Sequence, residues 1–336
     1  MSATRDDASR SGRTHQKPRK PPEPGKPPET RKHRGPGKRA GPLKLLRWLA
    51  EAAATWLWLR AMGALGPDRA SDLGGWLGRT LGPRLAVDRT ARANVRLAFP
   101  DLPEARVAEI VRASWDNLGR TAAEYAHLAT IMDPASGRVS YAGQDRLQPS
   151  VEGRAAQICW SGHFANWEVL GCAAAQLAPR SVAIVRDPNN PYVARLVERA
   201  RAVAGGERIN KGREASRRMM AAVRENALLA VLLDQRLSDG IDAPLFGQPA
   251  KSASGAAMMA VRRNIPMYPV RIERLGPARF RVTVEDPLSP PHDGDRESCT
   301  HQLVAACNAR LETWIRARPG EWLWQHRRFE KRVYRG

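Results

Sequence analysis

A histidine and a glutamate stand five positions apart in the segment Ser161-Gly162-His163-Phe164-Ala165-Asn166-Trp167-Glu168. Imidazole titrates near ~6.5, so at neutral pH it can take a proton from a hydroxyl, and a carboxylate beside it fixes its tautomer and stabilises the imidazolium that forms. The pair therefore suits general-base catalysis. Along a continuous helix a five-residue step would set the two side chains about 140° apart, too far round for contact. The spacing works if His163 lies in a loop and Glu168 in the first turn of a helix, with Asn166 as N-cap. The chain then folds back, the carboxylate reaches one imidazole nitrogen, and the helix N-terminus favours the negative Glu168. With seven histidines in the chain, a histidine near a glutamate by chance is the competing reading on spacing alone.

The elements around this segment give it a setting. Residues 155–160 form a short apolar run that reads as a buried strand emptying into Ser161-Gly162-His163, and 169–178 read as the helix that follows. In open α/β sheets functional groups gather beyond the carboxyl ends of strands, and a second such loop, 234–251, follows the strand-like 228–233. Arg186, after the strand-like 182–185, is the leading candidate for gripping a phosphate or carboxylate through its planar fork. Arg236 and Lys251 on the other loop come next, with a solvated basic surface as the alternative. Asp234 is expected to pin its loop by hydrogen bonding, as structural support more than as a participant. Cys159 and Cys172 lack a paired base and read as packing residues. Trp322 and Trp324 alternate as in a half-buried strand, where core packing is their expected role, and packing explains Arg327 and Arg328 as well as substrate contact does.

Helical spacing also covers 104–132, after a turn at Phe99-Pro100-Asp101, and 193–204, 214–226, 255–263 and about 297–318; 267–274 and 279–285 read as strands. From Asp234 to Ser254 a long polar loop is expected. Alternating strands and helices imply a layered α/β domain.

Composition divides the chain. Residues 1–40 hold twelve Lys or Arg against four acids, seven prolines and no Ile, Leu, Val, Phe or Trp, so they bury too little apolar surface to order and are expected to be disordered. Of the net charge of +21, the arm carries +8 and the remainder +13, which calls for an anionic partner: nucleic acid, anionic lipid or an acidic carrier protein. The cysteines at 159, 172, 299 and 307 make neither a disulfide framework nor a zinc site, which fits a reducing environment. Residues 43–65 are rich in Leu, Ala and Trp but broken by Lys44, Arg47, Glu51 and Arg60, so they are too interrupted to cross a bilayer. An amphipathic helix lying in the interface, with Trp48, Trp56 and Trp58 at headgroup depth, is the preferred reading, against an ordinary first helix of the core.

The 161–168 segment resembles the histidine, four residues, acidic residue signature of glycerolipid-type acyltransferases, and its Asn-Trp-Glu ending is closest to the lauroyl and myristoyl acyltransferases of lipid A synthesis. Further segments resemble that family in its order: Ala93-Asn94-Val95-Arg96-Leu97-Ala98-Phe99-Pro100, Trp115-Asp116-Asn117-Leu118-Gly119-Arg120, Arg186-Asp187-Pro188-Asn189-Asn190-Pro191, Asp234-Gln235, Phe246-Gly247-Gln248-Pro249-Ala250, and Glu321-Trp322-Leu323-Trp324-Gln325-His326-Arg327-Arg328-Phe329. The resemblance spans roughly 43–332.

It implies a layered glycerolipid-acyltransferase-like fold with a central mixed sheet flanked by helices, organised as a basic arm over 1–42, a membrane-associating helix over 43–66 and an acyltransferase domain over 67–332. It also implies catalysis by His163 and Glu168, an acyl carrier protein thioester as donor, and the hydroxyl of a lipid-linked 3-hydroxyacyl chain of a lipid A precursor as acceptor. The expected location is the cytoplasmic face of the inner membrane, on an anionic surface. Neither metal nor cofactor is required. Oxyanion donors are left open between backbone N–H groups near Gly162 and an arginine. Gln235-Arg236-Leu237-Ser238-Asp239 after Asp234, and Ser252-Ala253-Ser254 where the family commonly has threonine and proline, depart from the pattern and leave acceptor and chain length open. Two readings from other classes compete. A nucleic-acid binder would show a recognised module or aromatic–basic interleaving, which the folded part lacks. A catalytically dead scaffold would not need both His163 and Glu168.

Overall fold

Five helices precede the first strand in the computed structural model, which describes residues 41–210 and 212–334. The basic arm, with its expected disorder, lies outside the described residues. These helices are α1 (Pro42–Gly63), α2 (Pro67–Leu81), α3 (Asp88–Ala98), α4 (Glu104–Glu124) and α5 (Leu128–Met132). The chain then alternates: β1 (Val139–Ala142), α6 (Gln148–Val151), β2 (Gln157–Ser161), α7 (Trp167–Leu177), β3 (Ser181–Val185), α8 (Pro191–Arg201), β4 (Glu207–Asn210), α9 (Arg213–Arg224) and β5 (Leu228–Leu232). A hairpin of β6 (Ile241–Leu245) and β7 (Gln248–Ser252) follows, then α10 (Gly255–Arg263), β8 (Met267–Gly276), β9 (Arg279–Val284) and the long α11 (Arg296–Ala317).

Seven strands form the main sheet in the order β1-β9-β8-β2-β5-β3-β4, parallel throughout except for the antiparallel β8–β9 pair. A mixed α/β sheet flanked by helices is thus present as expected. β2 is buried at every position, as a central strand covered on both faces must be. On one face Trp160 stacks on Trp314 of α11 with ring centroids 5.5 Å apart. On the other, Cys159 lies beside Ala230, and Ala230 beside Ala183, in register across three strands. This row of small side chains leaves room beneath α7.

The expected loop from Asp234 to Ser254 is instead mostly the β6–β7 hairpin, turned by Phe246 and Gly247 at φ 52° and 68°. Pro244 and Pro249 sit opposite one another in it, and proline ordinarily argues against a strand, which hid the hairpin from sequence reasoning. The strand expected at the tryptophan pair is also absent. Trp322 and Trp324 are buried in an irregular segment that touches Phe164 through one antiparallel bridge. Four-residue β1 and β4 were too short to announce themselves.

Helices α2 and α4 cross with their backbones in contact, which only glycine allows: a Cβ on Gly119 would meet the Gly74 carbonyl oxygen at 2.1 Å. Over α4 runs α1, held by the Trp58 Nε1–H bond to the Ala122 carbonyl (3.0 Å) and by buried Met62. Several of its other apolar side chains, among them Leu43, Leu46, Leu49, Trp56 and Leu57, are exposed, while Trp48 and Leu59 are half-buried. No described helix is long and apolar enough to cross a membrane.

Candidate active site

His163 emerges two residues past the end of β2, and a turn of strained backbone leads from it into α7. Ala165 has φ 43°, a left-handed conformation that costs a non-glycine residue on the order of 1 kcal/mol. Three hydrogen bonds hold it there. Its N–H donates to the Glu321 carbonyl (2.9 Å), while its own carbonyl accepts from Asn117 Nδ2 (3.0 Å) and Thr121 Oγ1 (2.8 Å). Asn166 is the N-cap of α7, accepting from the Glu168 N–H (3.1 Å), and its amide donates to buried Glu124 (2.9 Å), which is itself paired with Arg274. The N-cap expected from the sequence is therefore present.

The carboxylate that holds His163 is Asp234, two residues past the end of β5. Its Oδ1 lies 2.7 Å from Nδ1, and its Oδ2 accepts from the His163 backbone N–H (2.8 Å) and from Trp322 Nε1–H (2.8 Å). Gly162 makes this approach possible, since a Cβ there would sit 2.9 Å from the Phe164 ring and 3.1 Å from the Asp234 carboxyl carbon. Burial opposes ionisation of Asp234, but the charge and hydrogen bonds of His163 and the indole of Trp322 outweigh it, so its pKa is held below the ordinary carboxylate value. An anionic Asp234 facing Nδ1 requires the imidazole to carry a hydrogen there in either protonation state, so the neutral ring has its lone pair on Nε2. The side-chain amide of Gln235 donates to that lone pair at 3.1 Å.

The hydrogen bond expected between Glu168 and His163 is not formed. Because α7 begins at Trp167, the indole of Trp167 meets the imidazole edge-on at 5.2 Å between centroids, and Glu168, about 100° further round, turns towards α8. There it makes a two-pronged pair with Arg201, Nε to Oε2 at 2.5 Å and Nη2 to Oε1 at 2.7 Å. Burial works against the Arg201 charge, but the hydrogen bonds and charge of Glu168 outweigh it and raise its pKa.

His163, Trp167, Glu168 and Arg201 share one cavity of about 500 Å³. Towards one end its walls are polar: Arg186, Asp187, Asn189, Arg201 and Arg208. Away from that end it runs between α7 and the sheet, over the small side chains of Cys159, Ala183 and Ala230, to Val270, Val282, Val284 and Leu147. Gly171 and Ala174 form the facing stripe of α7.

A base held in one tautomer, a polar mouth and an apolar channel suit transfer of a long-chain group to a hydroxyl. The model of the bacterial lipid A biosynthesis acyltransferase family matches residues 41–331. The chain belongs to this lipid A acyltransferase family. It is an acyltransferase. Among solved structures, the 1-acyl-sn-glycerophosphate (LPA) acyltransferase PlsC from Thermotoga maritima is similar at 14% identity, over 70% of this chain and 97% of that one, with a TM-score of 0.34. No curated protein matches the chain.

Within this acyltransferase, the segments that carried the family resemblance converge on His163. Asn94 donates to the carbonyls of Trp324 and His326 (both 2.7 Å), and Ser114 to that of Trp322 (2.7 Å). These bonds fix the C-terminal segment that brings Trp322 to Asp234 and the Leu323 N–H to the His163 carbonyl at 3.1 Å. Of the candidate binding residues, Arg186 lines the cavity, whereas Arg236 and Lys251 do not. Lys251 pairs with Asp242 across the hairpin at 2.9 Å, because the strand pairing sets them opposite one another. Arg236 is held through its backbone N–H, which donates to the His326 ring at 3.2 Å. Sequence reasoning missed Gln235, Arg201 and Trp322 as neighbours of the pair. Gln235 and Trp322 had stood in matched segments, but no periodicity pointed either of them at His163.

Proposed function

We propose that this acyltransferase moves a fatty acyl chain from an acyl carrier protein thioester to the hydroxyl of a lipid-linked 3-hydroxyacyl chain, on a lipid A precursor at the cytoplasmic face of the inner membrane. The observation that carries this reading is the position of His163, held by Asp234 where the polar mouth of the cavity meets its apolar channel. The acceptor hydroxyl takes the place of the Gln235 amide at Nε2. As its proton passes to Nε2, its oxygen attacks the thioester carbonyl, and Asp234 stabilises the imidazolium. Collapse of the tetrahedral intermediate breaks the carbon–sulfur bond, the leaving thiolate takes the proton back from His163, and the new ester remains on the lipid.

Channel dimensions support the donor half. From β3 across β5 and β2 to β8 and β9 are four interstrand steps of ~4.8 Å, or about 19 Å of floor for an acyl chain laid across the strands. The acceptor half rests on Arg186 at the mouth, whose fork suits a lipid phosphate or carboxylate. A net +13 outside the arm favours an acidic carrier protein and an anionic surface. The exposed Leu43, Leu46, Leu49, Trp56 and Leu57 of α1 suit a helix lying in the lipid interface. Glu168 acts in this scheme through Arg201, fixing the wall of the mouth.

The experiment is mass spectrometry of lipids from cells that lack one secondary lipid A acyltransferase and are supplied with this protein or its His163→Ala variant. A lipid A species heavier by one acyl group, dependent on His163, supports the reading. An added acyl group on a phospholipid or another glycolipid would move the acceptor assignment there.

A further inference from the structure

We propose that Asn190 is a positioning residue that ties the lipid-facing helix α1 to the wall of the acceptor site, so that both seat on the membrane as one unit. The inference rests on the reading of the mouth as the acceptor entrance.

Asn190 is only 5% exposed and uses both ends of its side chain. Its Oδ1 caps α8, accepting from the N–H groups of Tyr192 (3.0 Å) and Val193 (3.4 Å). Its Nδ2 donates to the Trp48 carbonyl (2.8 Å) and to Glu51 Oε2 (2.9 Å), both on α1. Capping needs only the oxygen, which Ser or Asp would supply equally well. The amide nitrogen is therefore surplus to the cap, and both its partners belong to α1.

What this nitrogen fixes is otherwise weakly fixed. Helix α8 walls the cavity with Val197 and Arg201 but contains no fully buried residue and packs on the core only through half-buried side chains such as Ala200. Polar clamps at its two ends add to that packing: Asn190 at its N-terminus and the Arg201–Glu168 pair at its C-terminus. Arg186 lies four residues before Asn190, in the loop this clamp ends. On its other side, α1 carries the exposed apolar residues expected to meet lipid. Seating α1 in the interface then holds the Arg186 loop and α8 at the height where a lipid acceptor presents its head, while the donor channel under α7 is unaffected.

The test uses the full chain with carrier-protein-linked acyl donor and lipid A precursor dispersed in anionic phospholipid vesicles. Asn190→Ser keeps the cap and loses the link to α1. Its melting temperature should stay near wild type while the KM for the lipid acceptor rises about tenfold, as the loss of one or two hydrogen bonds implies. Both kcat and the donor KM should change less than twofold. Glu51→Ala should raise the acceptor KM in the same sense, and Glu51→Gln, which retains an acceptor oxygen for Nδ2, should restore it; these two variants decide the matter if Asn190→Ser does not fold. An unchanged acceptor KM in folded Asn190→Ser, or equal losses in donor and acceptor use, would overturn the inference. A His163→Ala control run alongside separates the outcomes. If that variant is inactive while Asn190→Ser behaves as wild type, only the positioning role fails; if it still transfers, the proposed reaction fails.

Discussion

Replacing Asp234 by Asn separates the carboxylate that orients His163 from every other group at the site. Asp234 receives three hydrogen bonds, two on Oδ2 and one on Oδ1, and an amide has only one oxygen. With that oxygen at the Oδ2 position, the His163 N–H and the Trp322 indole stay satisfied, and the amide N–H₂ faces Nδ1. The reverse orientation would strand two buried donors at about 1–3 kcal/mol each, so the first is populated. Nδ1 must then present a lone pair, the ring hydrogen moves to Nε2, and Nε2 can no longer accept a proton from the acceptor hydroxyl. Loss of general-base assistance should lower transfer about 10²–10⁴-fold, equivalent to roughly 3–5 kcal/mol of barrier. Stability should fall less, by about 1.5–3 kcal/mol for one charge-assisted bond. Initial rates of transfer, thermal unfolding and ¹⁵N chemical shifts of the imidazole read these quantities separately. Folded Asp234→Asn with a rate within threefold of wild type, or with the hydrogen still on Nδ1, would refute the reasoning.

Glu168→Gln should behave differently, because it strips the partner from Arg201, whose side chain is only 13% exposed: unfolding should come about 3–5 kcal/mol easier with the His163 tautomer unchanged. Gly171→Ala should stabilise the protein by about 0.8–1.0 kcal/mol in chemical denaturation, since glycine is poor inside a helix and an added Cβ meets no atom within 4 Å. Burial pushes the thiols of Cys159 and Cys172 up to about 12 and about 11, so at pH 8 iodoacetamide should leave both unlabelled in the native protein, by peptide mapping, and activity intact. Asp234 is held below its unfolded value of ~3.9, so its contribution to stability is complete above about pH 4 and shrinks as pH falls; the wild-type loss below pH 4 should exceed that of Asp234→Asn in urea titrations.

The sequence made the sheet and the His163 loop legible because buried central strands carry short apolar runs, residues 158–160 in β2 and all of β5. The N-cap at Asn166 was readable from local spacing alone. The partner of His163 was not: Asp234 lies 71 residues away, and only the pairing of β2 with β5 sets the two strand ends side by side. A local search therefore settled on Glu168, the nearest carboxylate in the chain, though the start of α7 at Trp167 turns it away. Trp322 shows the same limit. Its alternation with Trp324 suggested packing, and burial is indeed what both have, but the indole N–H that reaches Asp234 depends on the tethers from Asn94 and Ser114. The hairpin of β6 and β7 was hidden for a local reason, the prolines facing each other within it.

The most direct measurement is the rate of acyl transfer from acyl carrier protein to a 3-hydroxyacylated lipid A precursor by wild-type protein and by His163→Ala, with circular dichroism confirming the fold of each. The account predicts transfer by the wild type and a loss of about 10²-fold or more in the folded variant. Folded His163→Ala that transfers acyl chains at nearly the wild-type rate would contradict it.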